Sequence, residues 1–138
     1  KLAQAGKKDL VLIAEDLETF QVHENDEEVL FPVKLKIEKL PKSEIIKSEK
    51  VAQLDLSKIK FPMIIRKWYR GDSFFPLGMK GRKKLSDFFI DNKYSLVDKE
   101  NIHVLVSGDQ VIWVIGKRLD DRYKVTENTI QILQLSLQ

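Results

Sequence analysis

Residues 70–93 have the sequence RGDSFFPLGMKGRKKLSDFFIDNK, in which a glycine-punctuated loop leads into a basic and then an aromatic segment. Leu85, Phe88 and Phe89 follow the i, i+3, i+4 spacing of one helix face. This spacing predicts a helix from about Arg82 to Asn92 that buries these three side chains.

The loop and the predicted helix start combine glycine with positive charge. Gly78 and Gly81 permit positive φ and a close approach of the backbone to a partner. Positive side chains oppose the macrodipole at a helix N-terminus, whereas an anion bound there would offset them. The segment therefore predicts an exposed surface for polyanions, with phosphate as the expected group. Its cations are Lys80, Arg82, Lys83 and Lys84.

Short apolar or alternating segments on both sides of this stretch predict strands separated by turns. They cover residues 9–14, 19–23, 29–31, 33–40, 51–56, 63–69, 102–106, 111–115 and 129–135. The first three are expected to form a β-meander that opens the domain. A turn at residues 107–109 is expected to join two strands into a hairpin. The pattern indicates an α+β fold dominated by antiparallel sheet.

Composition predicts one domain over residues 1–138. The chain has 43% hydrophobic residues, and this length suffices to bury about two thirds of the unfolded surface. It has no cysteine, which excludes disulfides and thiolate chemistry. No apolar run approaches the roughly 20 residues that span a bilayer. The absence of cysteine fits a cytoplasmic protein. Because the chain starts at Lys1, without an initiator Met or a signal-peptide pattern, we expect a piece of a longer protein.

The charges are distributed unevenly although the net charge is only +3. Residues 58–84 hold nine Lys or Arg and one acid, Asp72, whereas residues 15–28 hold seven acids and no Lys or Arg. Such asymmetry is typical of a molecule with one anion-binding face. The acidic segment, residues 15–28, is interpreted as a solvated surface.

No catalytic or metal-binding motif is found in the sequence. No two glycines are adjacent and no Walker A pattern occurs. The sequence therefore predicts neither an ATP-binding loop with a glycine pair nor a Walker A loop. His23 and His103 lie far apart in alternating segments and are interpreted as ordinary surface or core histidines rather than a metal pair.

The stretch also resembles a known family. The ordered residues Gly71-Asp72-x-Phe74-x-Pro76-Leu77-Gly78-Met79-x-Gly81, continuing to Asp91, are followed by residues 112–116 (IWVIG) and 120–126 (DDRYKVT). Together they resemble the C-terminal domain of tRNA(Ile)-lysidine synthetase. The match covers residues 56–135, and residues 1–55 resemble the connecting region of that enzyme only loosely.

The resemblance implies a fold and a parent activity. The fold is an antiparallel-sheet-rich layered sandwich with one or two short helices, shared with a domain of the phenylalanyl-tRNA synthetase β chain. The parent enzyme uses ATP to ligate lysine to the wobble cytidine of a CAU-anticodon isoleucine tRNA. ATP and lysine are thus substrates of the parent, with no cofactor expected in this fragment.

The resemblance also implies a tRNA-binding surface and no catalytic or metal residue in this fragment. Gly71, Asp72, Gly78 and Gly81 are expected to set the loop geometry, with Asp72 anchoring the loop through hydrogen bonds. Phe74, Phe75 and Trp113 are interpreted as packing residues, with base stacking as the alternative. The predicted tRNA-binding residues are Arg66, Lys67, Arg70, Lys80, Arg82, Lys83, Lys84 and Lys93.

A second interpretation remains open at this point. In this interpretation the basic segment, residues 58–84, docks on an acidic protein surface. That surface belongs either to the N-terminal catalytic domain of the parent chain or to a second copy in a homodimer. No membrane partner is expected.

Overall fold

The computed structural model describes residues 18–138, so the predicted strand at residues 9–14 lies outside the described residues. The described part contains β1 (Thr19–Val22), β2 (Glu28–Val29), β3 (Leu35–Pro41), β4 (Val51–Asp55), β5 (Met63–Lys67), β6 (Ser73–Phe74), β7 (Lys83–Lys84), α1 (Leu85–Asp91), α2 (Leu96–Glu100), β8 (His103–Ser107), β9 (Gln110–Val114), β10 (Arg118–Leu119) and β11 (Gln131–Leu137).

These strands form two larger antiparallel sheets and one short two-stranded pair. The five-stranded sheet has the order β1-β5-β8-β9-β10, and the four-stranded sheet has the order β2-β3-β11-β4. β11 lies between β3 and β4, pairing Leu135 with Ile37 on one side and with Ala52 on the other. The last strand of the chain therefore closes a sheet that the first half began.

The five-stranded sheet is packed on both faces. One face meets the four-stranded sheet through a core that includes Met63, Ile65, Leu105 and Trp113. The other face carries β6 and α1 over a second core that includes Val104, Val106, Phe74, Phe88 and Phe89. The architecture is a layered, antiparallel-sheet-rich α+β sandwich with two short helices, which confirms the predicted fold class.

A bulge in the β8–β9 hairpin helps β9 serve both cores. Leu105 pairs with Trp113 while the next residue, Val106, pairs with Val111, so Ile112 is an extra residue. The insertion places Ile112 and Trp113 in the core between the sheets, while Val111 belongs to the core beneath α1. Bulges of this kind redirect side chains locally.

The predicted opening meander is wrong for the strands that the structure describes. β1 pairs with β5 in one sheet, whereas β2 pairs with β3 in the other. Val22 at the end of β1 and Leu35 of β3 are both buried in the core between the sheets. The chain therefore crosses from one layer to the other after β1 instead of turning back beside it.

The predicted helix exists but begins later than expected. α1 starts at Leu85, because Lys83 and Lys84 form strand pairs with Phe74 and Ser73. The backbone N–H of Leu85 donates to the carbonyl of Asp72 at 3.0 Å. The sequence did not predict α2, although Ser95 and Asp98 form a capping box at its start.

Asp55 joins the end of β4 to the turn before β11. Its buried carboxylate accepts hydrogen bonds from Ser57 N and Ser57 Oγ, at 3.0 and 2.7 Å, and from Thr129 Oγ1 at 3.0 Å. Burial acts to raise the pKa of Asp55, but the hydrogen bonds from Ser57 and Thr129 outweigh it and leave the pKa lowered.

Thr129→Val is expected to lower the free energy of unfolding at neutral pH by about 1–3 kcal/mol, because a buried carboxylate loses one hydrogen-bond donor. Since the folded-state pKa of Asp55 is lowered, its stabilising contribution is present above about pH 4 and is lost as the pH falls through the folded pKa. Below about pH 4, the free energy of unfolding should therefore fall less in the variant than in the parent.

Urea unfolding at neutral pH and at a series of acidic pH values measures both effects. Thr19→Val is the matched control, because Thr19 is exposed on β1. Equal acid sensitivity of Thr129→Val and the parent would contradict the role of this hydrogen bond.

Candidate nucleic-acid interface

The loop between β5 and α1 is anchored at its start by an ion pair. Asp72 is 8% exposed, and it accepts hydrogen bonds from Arg66 Nη1 and Nη2, both at 3.0 Å, and from Tyr69 N at 2.8 Å. The Arg66 guanidinium also lies 4.1 Å from the centroid of the Tyr69 ring. Arg66 is thus engaged by Asp72 within the fold, and its assignment as a tRNA-binding residue stays a prediction.

A second buried carboxylate anchors the middle of the loop. Asp120 is fully buried and accepts hydrogen bonds from Phe75 N at 2.9 Å and from Arg122 Nε and Nη2 at 3.0 and 2.9 Å. The hydrogen bonds from Arg122 to Asp120 raise the pKa of Arg122 and outweigh the opposing effect of burial. Leu77 N donates to the carbonyl of Leu119 at 2.8 Å, so the loop is joined both to β10 and to Asp120, the residue that follows it.

The glycines of the loop adopt backbone conformations that other residues rarely adopt. The φ angles are 103° at Gly71, 83° at Gly78 and 82° at Gly81. No heavy atom lies within 4 Å of a Cβ added at any of the three. Backbone conformation, rather than space, therefore requires glycine at these positions.

Most of the predicted cations extend from this anchored loop into solvent. Lys80 and Arg82 are exposed on the loop, and the β6–β7 pairing places Lys84 opposite Ser73, close in the chain to Arg70. No acid within residues 18–138 forms an ion pair with any of these four cations. Lys67 is exposed at the end of β5.

Two predicted contact residues differ from this group. Lys83 is only partly exposed and forms an ion pair with Asp91 at the far end of α1, which corrects the expectation that it is free on the surface. Lys93 is exposed with φ 59°, but it follows α1 and is separated from the loop cations by that helix.

The fold brings two further cations, Arg118 and Arg122, to the loop, and the sequence pattern did not indicate them. Arg82 and Arg122 both lie near the ring of Phe75, at 5.3 and 4.2 Å from its centroid. Arg118 Nη1 donates to the carbonyl of Leu77 at 3.2 Å. Arg118 and Arg122 lie more than 30 positions from the loop in sequence, and the Pro76–Asp120 bridge brings their segment beside it.

The aromatic residues of this region mainly serve packing. Phe74 and Trp113 are buried, at 0% and 1% exposed, so they belong to the two cores. Phe75 is half-buried between the two arginines. The exposed apolar side chains of the loop are Leu77 and Met79, at 38% and 42%.

The histidines do not form a metal site in the described part of the chain. Burial lowers the pKa of His103, and its Nδ1 lies 3.2 Å from the carbonyl of Asn101. Residues 18–138 contain no group of three or more His, Asp or Glu side chains arranged to hold a metal ion. In the same residues, no helix has the length and apolar character needed to cross a membrane.

The sequence is similar to a known protein family and to curated proteins. A family model described as the TilS substrate C-terminal domain matches residues 63–136. The tRNA(Ile)-lysidine synthase of Parabacteroides distasonis is 45% identical over 105 residues, covering 74% of this chain and 24% of that protein. The tRNA(Ile)-lysidine synthase of Bacteroides thetaiotaomicron is 38% identical over 93 residues, covering 67% and 22%. The chain thus spans about a quarter of the length of these curated relatives.

A solved structure supports the same fold. The crystal structure of a TILS C-terminal domain superposes with a TM-score of 0.72 at 18% identity, covering 88% of this chain and 97% of the other. At this identity the likeness bears on the fold, while the family model covers more than half of the sequence. The chain therefore belongs to the family of TilS substrate C-terminal domains, as its resemblance to the C-terminal domain of tRNA(Ile)-lysidine synthetase predicted.

Proposed function

We propose that this chain binds and orients tRNA as the C-terminal domain of an ATP-dependent tRNA(Ile)-lysidine synthetase. The remainder of that cytoplasmic enzyme would use ATP and lysine to modify the wobble cytidine of a CAU-anticodon isoleucine tRNA. This domain contributes binding energy and orientation without making or breaking a bond. Its partners are the tRNA and the N-terminal catalytic domain.

The observation that carries the proposal is the division of charge on the loop. Asp72 and Asp120 are both neutralised inside the fold, by Arg66 and Arg122 respectively. Residues 73–86 contain no Asp or Glu, so Lys80, Arg82 and Lys84 extend from a segment that has no negative charge of its own. An anchored loop with exposed cations suits a ligand with closely spaced negative charges.

Double-helical RNA is the ligand that fits such a surface. Its major groove is deep and narrow, so proteins recognise its phosphates, 2′-hydroxyls and shape rather than its base edges. We propose the acceptor stem, or an adjacent part of the tRNA, as the region that the loop contacts.

Binding of a CAU-anticodon isoleucine tRNA should depend steeply on salt. If Lys67, Arg70, Lys80, Arg82 and Lys84 each neutralise one phosphate, log K should fall against log salt with a slope of about −4 to −5. Fluorescence anisotropy at several salt concentrations measures the slope, and a tRNA without its acceptor stem is the control RNA. A flat salt response would argue against an electrostatic interface, and a mass that rises with protein concentration without RNA would favour the dimerisation alternative.

Lys80→Glu combined with Lys84→Glu should weaken tRNA binding by about tenfold or more and reduce the magnitude of the salt slope by about two, because two phosphate contacts are lost. The same charge change at Lys34 and Lys42, which are exposed at the ends of β3, should have a much smaller effect. Equal losses for both double variants would mean that only net charge matters. Lys83 is left unchanged because its ion pair with Asp91 belongs to the fold.

Asp72→Asn separates loop geometry from charge. The substitution adds one positive charge to the protein and breaks the Arg66 ion pair, so a purely electrostatic surface would bind tRNA more tightly. If the anchored loop conformation matters, affinity should instead fall by about threefold to tenfold, since loop ordering must then be achieved on binding. Thermal unfolding, measured first, establishes the temperature at which the variant is still folded. Tighter binding by the folded variant would contradict a role for the anchor.

A further inference from the structure

An open apolar cleft lies beside the basic loop. It has a volume of about 540 Å³ and extends between residues 45–51 and the segment around β10. Ligand sites of this kind typically enclose about 300–1,000 Å³. The apolar side chains that line it are Ile45, Ile46, Val51, Leu77, Trp113, Leu119 and Val125.

The walls of the cleft are held by hydrogen bonds. On one side, the buried Gln53 accepts a hydrogen bond from Ile46 N at 2.9 Å through Oε1 and donates to Gln134 Oε1 at 3.0 Å. On the other side, Leu77 N donates to the carbonyl of Leu119 at 2.8 Å. The cleft is thus preformed, which reduces the entropy cost of binding.

The charged residues around the cleft favour an anionic ligand. Four cations and one acid, Glu49, line it, and the cations are Lys47, Lys117, Arg118 and Lys124. Lys124 is partly neutralised by Asp121 at 3.1 Å. Lys117 and Arg118 lie over the rings of Tyr94 and Phe88, at 4.7 and 5.4 Å. An apolar interior surrounded by positive charge matches a ligand that has both an apolar face and a phosphate.

The cleft is continuous with the loop that carries the exposed cations. Leu77 belongs to both, since it lines the cleft and precedes Gly78 and Lys80 on the loop. A ribose-phosphate chain that follows the loop cations would therefore pass beside the cleft.

We propose that this cleft binds the base of one unstacked RNA nucleotide, with the flanking phosphate held by the surrounding cations. The inference rests on the proposed function, because it assigns a second subsite for the same RNA. A base within a double helix is already stacked, so the nucleotide must come from a single-stranded part of the RNA adjoining the stem. The cleft walls are mainly aliphatic, and every base presents an apolar face to such walls, so the subsite is expected to tolerate different bases.

The test compares two RNA hairpins with the same number of phosphates. Both carry a short single-stranded 3′ extension, with bases in one hairpin and abasic nucleotides in the other. Because the charges are matched, the difference in affinity reports the base alone. The parent chain should bind the base-bearing hairpin roughly tenfold more tightly, at an unchanged salt slope.

Ile46→Ser should abolish that difference while leaving binding of the abasic hairpin unchanged. Ile46 is 47% exposed in the cleft, and Ile130→Ser is the matched control because Ile130 is 82% exposed and does not line the cleft. The control should retain the full preference for bases.

Each other outcome has a defined meaning. Equal binding of both hairpins by the parent chain would overturn the subsite and leave the proposed function standing. Failure to bind either hairpin or the tRNA would overturn the proposed function itself. If Ile46→Ser keeps the base preference but changes the mass of the chain in solution, the cleft is a protein-docking surface and the proposal is wrong.

Discussion

The central strands β8 and β9 of the five-stranded sheet are buried on both faces, and the rest of the structure depends on this constraint. β8 and β9 place Leu105 and Trp113 against the four-stranded sheet and Val104 and Val114 against the helical layer. Strands covered on both faces must be apolar on both sides, and their exposed backbone is confined to their ends. The loop from β5 to α1 must therefore leave one buried strand and return over the same sheet, which fixes both of its ends.

Buried carboxylates hold this loop at the cost of desolvation. Asp72 and Asp120 are each 8% exposed or less, and each is compensated by a bidentate arginine and at least one backbone N–H. A buried charge without its partner is strongly destabilising. Two of the arginines near the loop, Arg66 and Arg122, thus serve the fold, while Lys80, Arg82 and Lys84 on the loop remain available to a ligand.

Anchoring also explains how short segments can present the proposed tRNA-binding surface. The loop contains only two-residue strands, β6 and β7, yet its backbone is bonded to β10 and to the start of α1. A ligand that binds a preformed loop does not have to order it, so more of the contact energy appears as affinity. The hydrogen bonds between Leu77 and β10 also hold one wall of the cleft. The exposed loop cations and the proposed RNA subsite are therefore held in place by the same contacts.

The sequence by itself determined the features that depend on local pattern. The spacing of Leu85, Phe88 and Phe89 identified α1 and its buried face, alternation identified β3, β4 and β11, and the ordered motif at residues 71–91 identified the family. Hydrophobic periodicity and turn chemistry depend on residues that are close in sequence, so the amino-acid sequence alone reveals them.

Only the tertiary structure decided which charges are free and which elements meet. Lys83 was expected on an exposed helix start, but strand pairing with Phe74 moved the start to Leu85 and turned Lys83 toward Asp91. Arg118 and Arg122 gained their place beside the loop through contacts with Leu77 and Phe75, which are distant in sequence. Such pairings depend on which buried groups find partners across the fold, and no local pattern encodes them.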